Sequence, residues 1–174
     1  MKRVLPLLLL LAGCTATPVA TTTPPSMTPT TTTTVTTTSP RLDTPRKLPA
    51  DPCQVLVASD FDEPLSGTPQ PQPDTPRSCL FRVGAGNDQV VRVRFADAYV
   101  RPDQSMELLV GDGHSASMTC AETPNGIECT ELVAVNATES LEVVVFLRGG
   151  NSGQVAKAVQ GYAGDAFARM VVTS

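Results

Sequence analysis

The only imidazole in this sequence of 174 residues is His114, in the run Gly111-Asp112-Gly113-His114-Ser115. Imidazole, carboxylate and hydroxyl are the three groups of a nucleophilic triad, in which the imidazole takes a proton from the hydroxyl. Triad residues are brought together by the fold rather than by adjacency, and the sequence has no Gly-x-Ser-x-Gly turn to present a nucleophile. We therefore expect His114 to be an exposed loop residue without a catalytic role.

Two groups of acidic residues have the spacing for acid and base chemistry: Asp60, Asp62 and Glu63, and Glu128 and Glu131. Two carboxyl groups roughly 5 to 10 Å apart can cleave a glycosidic bond. Clefts that cleave sugars are usually lined by aromatic rings, whereas this chain is 4% aromatic and has no Trp. We therefore expect solvated acids, and the alternative is an envelope hydrolase that acts on wall polymers through these carboxylates.

Three arginines, Arg82, Arg92 and Arg94, share one side of a predicted hairpin, because alternate residues of a strand point to the same face. A cluster of guanidinium groups could bind a phosphate, a carboxylate or an acidic partner. The other interpretation is that each arginine pairs with a nearby acid, or covers the sheet with its aliphatic stem. The sequence leaves both interpretations open.

Four of the five cysteines, Cys53, Cys79, Cys120 and Cys129, lie within residues 51–174. An exported chain tends to oxidise its cysteines, and four cysteines allow three pairings. We favour Cys53 with Cys79, on either side of a proline-rich loop, and Cys120 with Cys129, directly opposite each other in a hairpin. Their spacing and the single histidine do not suit zinc, and Asp60-x-Asp62 lacks the rest of a calcium loop, so we predict no metal or cofactor.

The fifth cysteine follows a short targeting segment. Lys2 and Arg3 precede nine apolar residues, Val4 to Ala12, which are too few to span a bilayer. The run Leu11-Ala12-Gly13-Cys14 resembles the bacterial lipoprotein signal. That resemblance implies removal of residues 1–13, lipid on Cys14, and anchoring at the extracytoplasmic face of the cell membrane. The alternative is an ordinary secretory signal, with Cys14 incidental.

Residues 14–50 are predicted to be a disordered linker that carries the lipid at Cys14. Residues 15–40 hold 14 Thr and 5 Pro and no charged side chain, so they have too little apolar surface to fold. In an extended polyproline-like form the segment from Thr15 to Ala50 could reach about 110 Å. Such segments are typical of O-glycosylated stalks, with a bare spacer as the alternative, whereas Asn136-Ala137-Thr138 is expected to be a chance match to the N-glycosylation pattern.

Residues 51–174 are predicted to form one globular domain. They carry 8 Lys and Arg against 16 Asp and Glu, a net charge of −8, and no basic run. Nucleic-acid binding depends on neutralising phosphates, so we expect no nucleic-acid partner. We expect instead an envelope protein or a small ligand.

The hydrophobic pattern predicts an α+β domain, with a mainly antiparallel sheet of about five strands between an N-terminal and a C-terminal helix. Helices are expected at Pro52–Asp60, capped by Asp51, at Pro102–Val110, and at 152–169, capped by Ser152. Gly161 and Gly164 in the last helix would mark close packing on the sheet. The proline-rich residues 62–78 are expected to lack a regular element. Strands are expected at Cys79–Val83, Val91–Phe95, Ser115–Ala121, Ile127–Val135 and, at the centre, Leu141–Leu147.

The start of the domain, Asp51-Pro52-Cys53-Gln54-Val55-Leu56, and the later Cys79-Leu80-Phe81 resemble a group of actinobacterial lipoproteins that carry a domain of unknown function. The group has Trp where this chain has Phe81, which keeps an aromatic side chain at that position. The resemblance implies a cell-envelope location and no established activity, with no catalytic residues to transfer. We therefore expect a non-enzymatic binding module.

Overall fold

The computed structural model describes residues 39–61, 67–84, 88–111 and 113–173. The predicted signal peptide, Cys14 and the linker up to residue 38 lie outside this part of the chain. So do Asp62, Glu63 and Asp112. No helix among the described residues is long and apolar enough to cross a membrane.

The fold is built on an antiparallel sheet of seven strands with one α-helix packed on it, together with a small sheet of two strands. The strands are β1 (Arg46–Lys47), β2 (Pro69–Pro73), β3 (Ser78–Val83), β4 (Gln89–Asp97), β5 (Met106–Val110), β6 (His114–Thr123), β7 (Gly126–Ala134), β8 (Glu139–Leu147) and β9 (Val171–Val172). The order of the large sheet is β2-β3-β4-β8-β7-β6-β5, and β1 pairs with β9. The predicted antiparallel sheet is thus confirmed, but the expected five strands are too few.

The C-terminal helix, α1 (Ser152–Ala168), is confirmed and covers one face of the large sheet. Its cap is Asn151 rather than Ser152, because the Asn151 side chain accepts a hydrogen bond from the Gln154 N–H at 2.9 Å. Tyr162 and Phe167 are buried against the sheet. The facing positions of the strands alternate with solvent-side residues, so that Val91, Val93, Val133, Leu141, Val143 and Val145 form the other half of the core.

The predicted N-terminal helix at Pro52–Asp60 is wrong, although its cap is present. Asp51 accepts a hydrogen bond from the Cys53 N–H at 2.8 Å, and a short 3-10 helix follows at Pro52–Gln54. Asp60 then accepts from the Val57 N–H at 2.8 Å, and a second 3-10 helix occupies Ala58–Phe61. A side chain that captures a backbone N–H competes with a continuous helix, so the segment forms two short turns.

The expectation of no regular element between residues 62 and 78 is also wrong, because Pro69–Pro73 forms the edge strand β2. Its prolines occupy every second position, Pro69, Pro71 and Pro73. Successive N–H groups of a strand point to opposite sides, so the glutamines between the prolines can keep their N–H groups towards β3. Proline is tolerated in this arrangement only at an edge.

The predicted helix at Pro102–Val110 is a turn followed by the other edge strand, β5. Ser105 donates its hydroxyl to the Pro102 carbonyl oxygen at 2.7 Å, which closes the turn. Met106–Val110 then pairs with β6, from Met106 opposite Met118 to Val110 opposite His114. Pairing with a neighbouring strand thus overrides the helix propensity of this stretch.

Both favoured disulfides are present. Cys53 is bonded to Cys79, and Cys120 is bonded to Cys129. The second pair lies directly opposite in the β6–β7 register, as the hairpin predicts.

The residues before Asp51 pack against the domain, although the sequence assigns them to the linker. The Arg46 N–H donates to the Val135 carbonyl oxygen at 3.0 Å, and the Thr173 N–H donates to the Pro45 carbonyl oxygen at 2.9 Å. Leu48 is buried in the core. The boundary at residue 51 therefore requires correction: the packed chain includes residues 41–50.

Candidate functional site

The face of the large sheet opposite α1 carries the three arginines of the sequence analysis. Arg82 pairs in register with Val90, and Arg92 with Leu80, while Arg94 lies opposite Ser78. The structure therefore places all three on one face of β3 and β4. About half of the Arg92 and Arg94 side chains is exposed, 46% and 50% respectively.

Each of these arginines contacts a polar neighbour. Arg94 Nη2 lies 2.6 Å from Glu142 Oε2, and this hydrogen bond raises the pKa of the guanidinium above its ordinary value. Arg92 Nε lies 3.5 Å from Asp74 Oδ2, a looser contact, and Arg82 Nε donates to the side-chain oxygen of Gln72 at 3.3 Å. The cluster is therefore partly neutralised by acids of the same surface.

Arg92 and Arg94, but not Arg82, border a shallow depression of about 490 Å³, which we call the basin. Its lining combines two arginines with three acids and two hydroxyl-bearing threonines: Arg92, Arg94, Asp74, Glu128, Glu142, Thr75 and Thr130. Both signs of charge thus lie around one depression that solvent can enter. Such a surface can bind an ionic group, but it does not enclose a substrate.

The predicted carboxylate groups are not brought together in the described part of the chain. Asp60 Oδ1 lies 2.7 Å from Arg169 Nη2, so this acid is held in an ion pair. Glu128 lines the basin, whereas Glu131, an odd number of residues further along β7, lies on the helix-facing side. Asp62 and Glu63 lie outside the described residues.

His114 is fully buried, so the prediction of an exposed loop residue is wrong. Its Nδ1 lies 2.7 Å from the carbonyl oxygen of Ala134, and its Nε2 lies 2.9 Å from that of Thr44. The Ser115 hydroxyl accepts a hydrogen bond from the Arg41 N–H at 2.8 Å rather than from the imidazole. His114 therefore ties the segment before Asp51 to the sheet, and its ring contacts Phe167 edge-on at 4.7 Å between centroids.

Glu131, expected to be a solvated acid, is 1% exposed and lies in the core beside α1. Neither of its carboxyl oxygens has a hydrogen-bond partner among the described residues. Burial raises the pKa of this carboxyl to about 7. The sequence signal was present, since Glu131 is two residues from each of Cys129 and Val133 and therefore shares their inward-facing side of the strand.

A cavity of about 350 Å³ adjoins Glu131 between β5 and α1. We call it the Glu131 cavity. Leu108, Leu109 and Val110 supply apolar walls from β5, and Gln160 and Gly164 border it from α1. It is on the other side of the sheet from the basin.

The described residues contain no group of three or more His, Cys, Asp or Glu side chains that could hold a metal ion.

No protein-family model matches the chain, and no curated protein is similar to it in sequence. Among solved structures, a protein from Bacteroides thetaiotaomicron VPI-5482 is similar with a TM-score of 0.37 and 13% identity. The similarity covers 53% of this chain and 40% of that one, so this chain matches less than half of that protein's length.

Proposed function

We propose that the chain is a lipid-anchored cell-envelope protein whose folded domain is a non-enzymatic binding module, and that the basin is its binding surface. The lipid anchor rests on the Leu11-Ala12-Gly13-Cys14 motif, and the tether on the uncharged Thr- and Pro-rich residues that follow. The observation that carries the binding surface is the convergence of two half-exposed arginines and three acids around one open depression.

The lining holds three acids and two arginines, so an anion can bind only by replacing an acid at one of the arginines. The ligand we propose is such an anion, a phosphate or a carboxylate on an envelope protein or a small ligand. Arg92 is the arginine best placed to receive it, because its contact with Asp74 is 3.5 Å long and exposed. Exposed ion pairs contribute little, so an anion that forms a bidentate contact with the guanidinium can replace this one. Arg94, held by Glu142 at 2.6 Å, positions the positive charge beside it.

Binding is favoured over catalysis because the described acids that the sequence suggests for a wall hydrolase, Asp60, Glu128 and Glu131, do not converge. A glycosidase requires two carboxyl groups on either side of the scissile bond. In the part of the chain that the structure describes, Asp60 is paired with Arg169, and Glu128 and Glu131 point to opposite faces of β7. These three acids therefore form no pair, and the basin acids Asp74 and Glu142 are each in contact with an arginine.

Two experiments test the anchor and the binding surface separately. For the anchor, full-length protein should sediment with membranes, and Cys14→Ser should release it. For binding, soluble protein of residues 14–174 carrying Cys14→Ser is added to envelopes isolated from the producing bacterium. We expect saturable binding that Arg92→Glu with Arg94→Glu weakens by about tenfold or more, the scale of losing charge-assisted contacts.

Arg101→Glu is the matched control, because Arg101 is equally exposed, at 49%, but pairs with Glu107 outside the basin. Its envelope binding should remain that of the unmodified protein. Thermal melting of each variant reports whether the fold is intact. Equal binding by the double variant and the unmodified protein would remove the basin as the binding surface, and membrane retention of Cys14→Ser would remove the lipid anchor.

A further inference from the structure

Glu131 is a carboxyl group that the fold buries without supplying a donor. It lies between Met118 of β6 and Val143 of β8 in the sheet register. Both neighbours are apolar and buried, and neither carboxyl oxygen accepts a hydrogen bond from any described residue. A buried polar group without a partner costs free energy, and a donor supplied by a ligand would offset that cost.

The Glu131 cavity supplies the space for such a partner. Its volume of about 350 Å³ is large enough for a small organic molecule, and its walls from β5 are the apolar Leu108 and Val110. The polar groups on its border are the Glu131 carboxyl and the Gln160 amide. One acid and one neutral amide beside apolar walls favour an amphipathic ligand with a single cationic end.

Gly164 keeps this space open from the helix side. A Cβ added at Gly164 would meet no atom of another element within 4 Å, so the prediction that this glycine marks close packing is wrong. Gly164 also has no positive φ that would require glycine. A glycine inside a helix costs roughly 0.5 to 1 kcal/mol relative to alanine, and here its small size widens the cavity.

We propose that the Glu131 cavity binds a small molecule whose protonated amine pairs with the Glu131 carboxylate and whose apolar part lies against Leu108 and Val110. An ammonium group supplies both the missing donor and the opposite charge that a buried carboxylate needs. The site lies across the sheet from the basin and is independent of the proposed function.

The test uses n-pentylamine as the cationic probe and 1-pentanol as the neutral probe of the same length. Soluble protein of residues 14–174 carrying Cys14→Ser is titrated with each probe at pH 8, by calorimetry and by amide chemical shifts of Gly111 and Gly164. The amine should bind about tenfold more tightly than the alcohol, the effect of one charge-assisted hydrogen bond. Equal affinities, or no saturable binding of the amine, would overturn the proposal.

Two variants separate the charge from the space. Glu131→Gln should weaken binding of the amine to the level of the alcohol and leave the alcohol within about twofold, because only the charge-assisted contact is lost. Gly164→Leu should abolish binding of both probes by filling the cavity. Gly161→Leu is the matched control, since Gly161 lies on the same helix with equally open space but does not border the cavity.

The pH dependence of n-pentylamine binding tests the same contact in the unmodified protein, which is needed if Glu131→Gln does not fold. Burial raises the pKa of Glu131 to about 7, while an alkylammonium stays protonated throughout this range. Affinity for n-pentylamine should therefore fall about tenfold between pH 8 and pH 6 as the carboxylate takes up a proton. A pH-independent affinity contradicts the proposal.

Apart from Glu131, no titratable side chain of the described residues borders the Glu131 cavity. His114 of β6 is held between the carbonyl oxygens of Ala134 and Thr44. On α1, Lys157 and Asp165 are exposed and do not border the cavity. On β5, Glu107 is ion-paired with Arg101. Affinity for 1-pentanol, which has no charge to pair, should change little over the same pH range.

Discussion

At the scale of single residues, Glu131 makes the stability of the domain depend on pH. Its pKa is about 7 in the folded protein, where burial disfavours the charged form, and near the ordinary glutamate value in the unfolded chain. Between these two values the folded state holds a proton that the unfolded state has lost. Stability is therefore lost as pH rises through this window, and the loss is complete above the folded pKa.

The expected loss is about 3 kcal/mol between pH 4.5 and pH 8, from a pKa difference of roughly 2.5 units. Urea unfolding of the unmodified protein and of Glu131→Gln at several pH values measures it, because the amide variant lacks this titration. Glu128→Gln is the control, since Glu128 lies on the same strand but is exposed on the open face. Parallel pH profiles for the unmodified protein and Glu131→Gln would show that this carboxyl does not set the slope.

Two features of the sequence give opposite predictions for the position of Glu131. The alternation of β7 places residue 131 on the same side as Cys129 and Val133, which are both fully buried. The charge of Glu131 predicts a side chain exposed to solvent, since glutamate is rarely buried without a partner. Here the strand alternation decides the orientation, and the charge does not bring the side chain to the surface.

His114 could not be placed from the sequence in the same way. Its burial depends on Thr44, whose carbonyl oxygen lies 2.9 Å from Nε2 across a separation of 70 residues. Thr44 precedes the domain boundary that composition predicts. A contact between distant segments leaves no pattern in the local sequence. The residues around His114 therefore predict an exposed loop.

At the scale of elements, the strands inside the large sheet are the predictable ones. Strands β3, β4, β6 and β7 carry hydrophobic alternation, and β8 is an apolar run of the kind found at the centre of a sheet. The Thr123–Gly126 turn sets the register that pairs Cys120 with Cys129. The edge strands β2 and β5 are stabilised by one neighbour each, and their own sequences favour other structures. Proline in β2 and helix formers in β5 are overridden by pairing.

The two disulfides are expected to differ in what they contribute to stability. Cys53–Cys79 closes a loop with a sequence separation of 26, and Cys120–Cys129 one of 9. The chain-entropy model gives about 3.5 kcal/mol for the longer loop and about 2.5 for the shorter. Cys53→Ala with Cys79→Ala should therefore lower the free energy of unfolding by about 1 kcal/mol more than Cys120→Ala with Cys129→Ala, as measured by urea denaturation.

The comparison is matched because each pair joins one fully buried cysteine, Cys79 or Cys129, to a more exposed one. Both double variants remove the same atoms, so the difference reports mainly on loop length. A larger loss from the hairpin pair would show that the bridge between β6 and β7 acts through native packing rather than through the unfolded chain.

At the scale of the whole molecule, composition separates an uncharged, Thr- and Pro-rich stretch from the sequence of the folded domain but places the start of the domain too late. The uncharged stretch ends at a short charged one, with Arg41, Asp43, Arg46 and Lys47. A charged stretch with few apolar residues predicts a linker. In the structure this segment completes the domain, because Arg46 and Leu48 make contacts with residues near the C-terminus and with the core. Such contacts between the ends of a chain have no signature in composition.

The last prediction concerns this boundary. Protein that begins at Ser39 should be as stable as the full chain, whereas protein that begins at Asp51 should lose at least about 3 kcal/mol. The shorter protein lacks buried Leu48, and it lacks Arg46, whose Nη1 donates to the carbonyl oxygens of Phe167, Ala168 and Met170 at the end of α1. Cations at this end of a helix also interact favourably with its dipole.

Urea unfolding of the two truncated proteins at the same pH and temperature measures the difference. The stability of an ordinary domain is about 5 to 15 kcal/mol, so this loss should lower the unfolding midpoint substantially. Arg46→Met and Lys47→Met in the full chain separate the contacts. Lys47 is exposed, so its variant should change stability by less than about 0.5 kcal/mol, whereas Arg46→Met removes the hydrogen bonds at the helix end. Equal stability of the two truncated proteins would place the domain boundary at Asp51 after all.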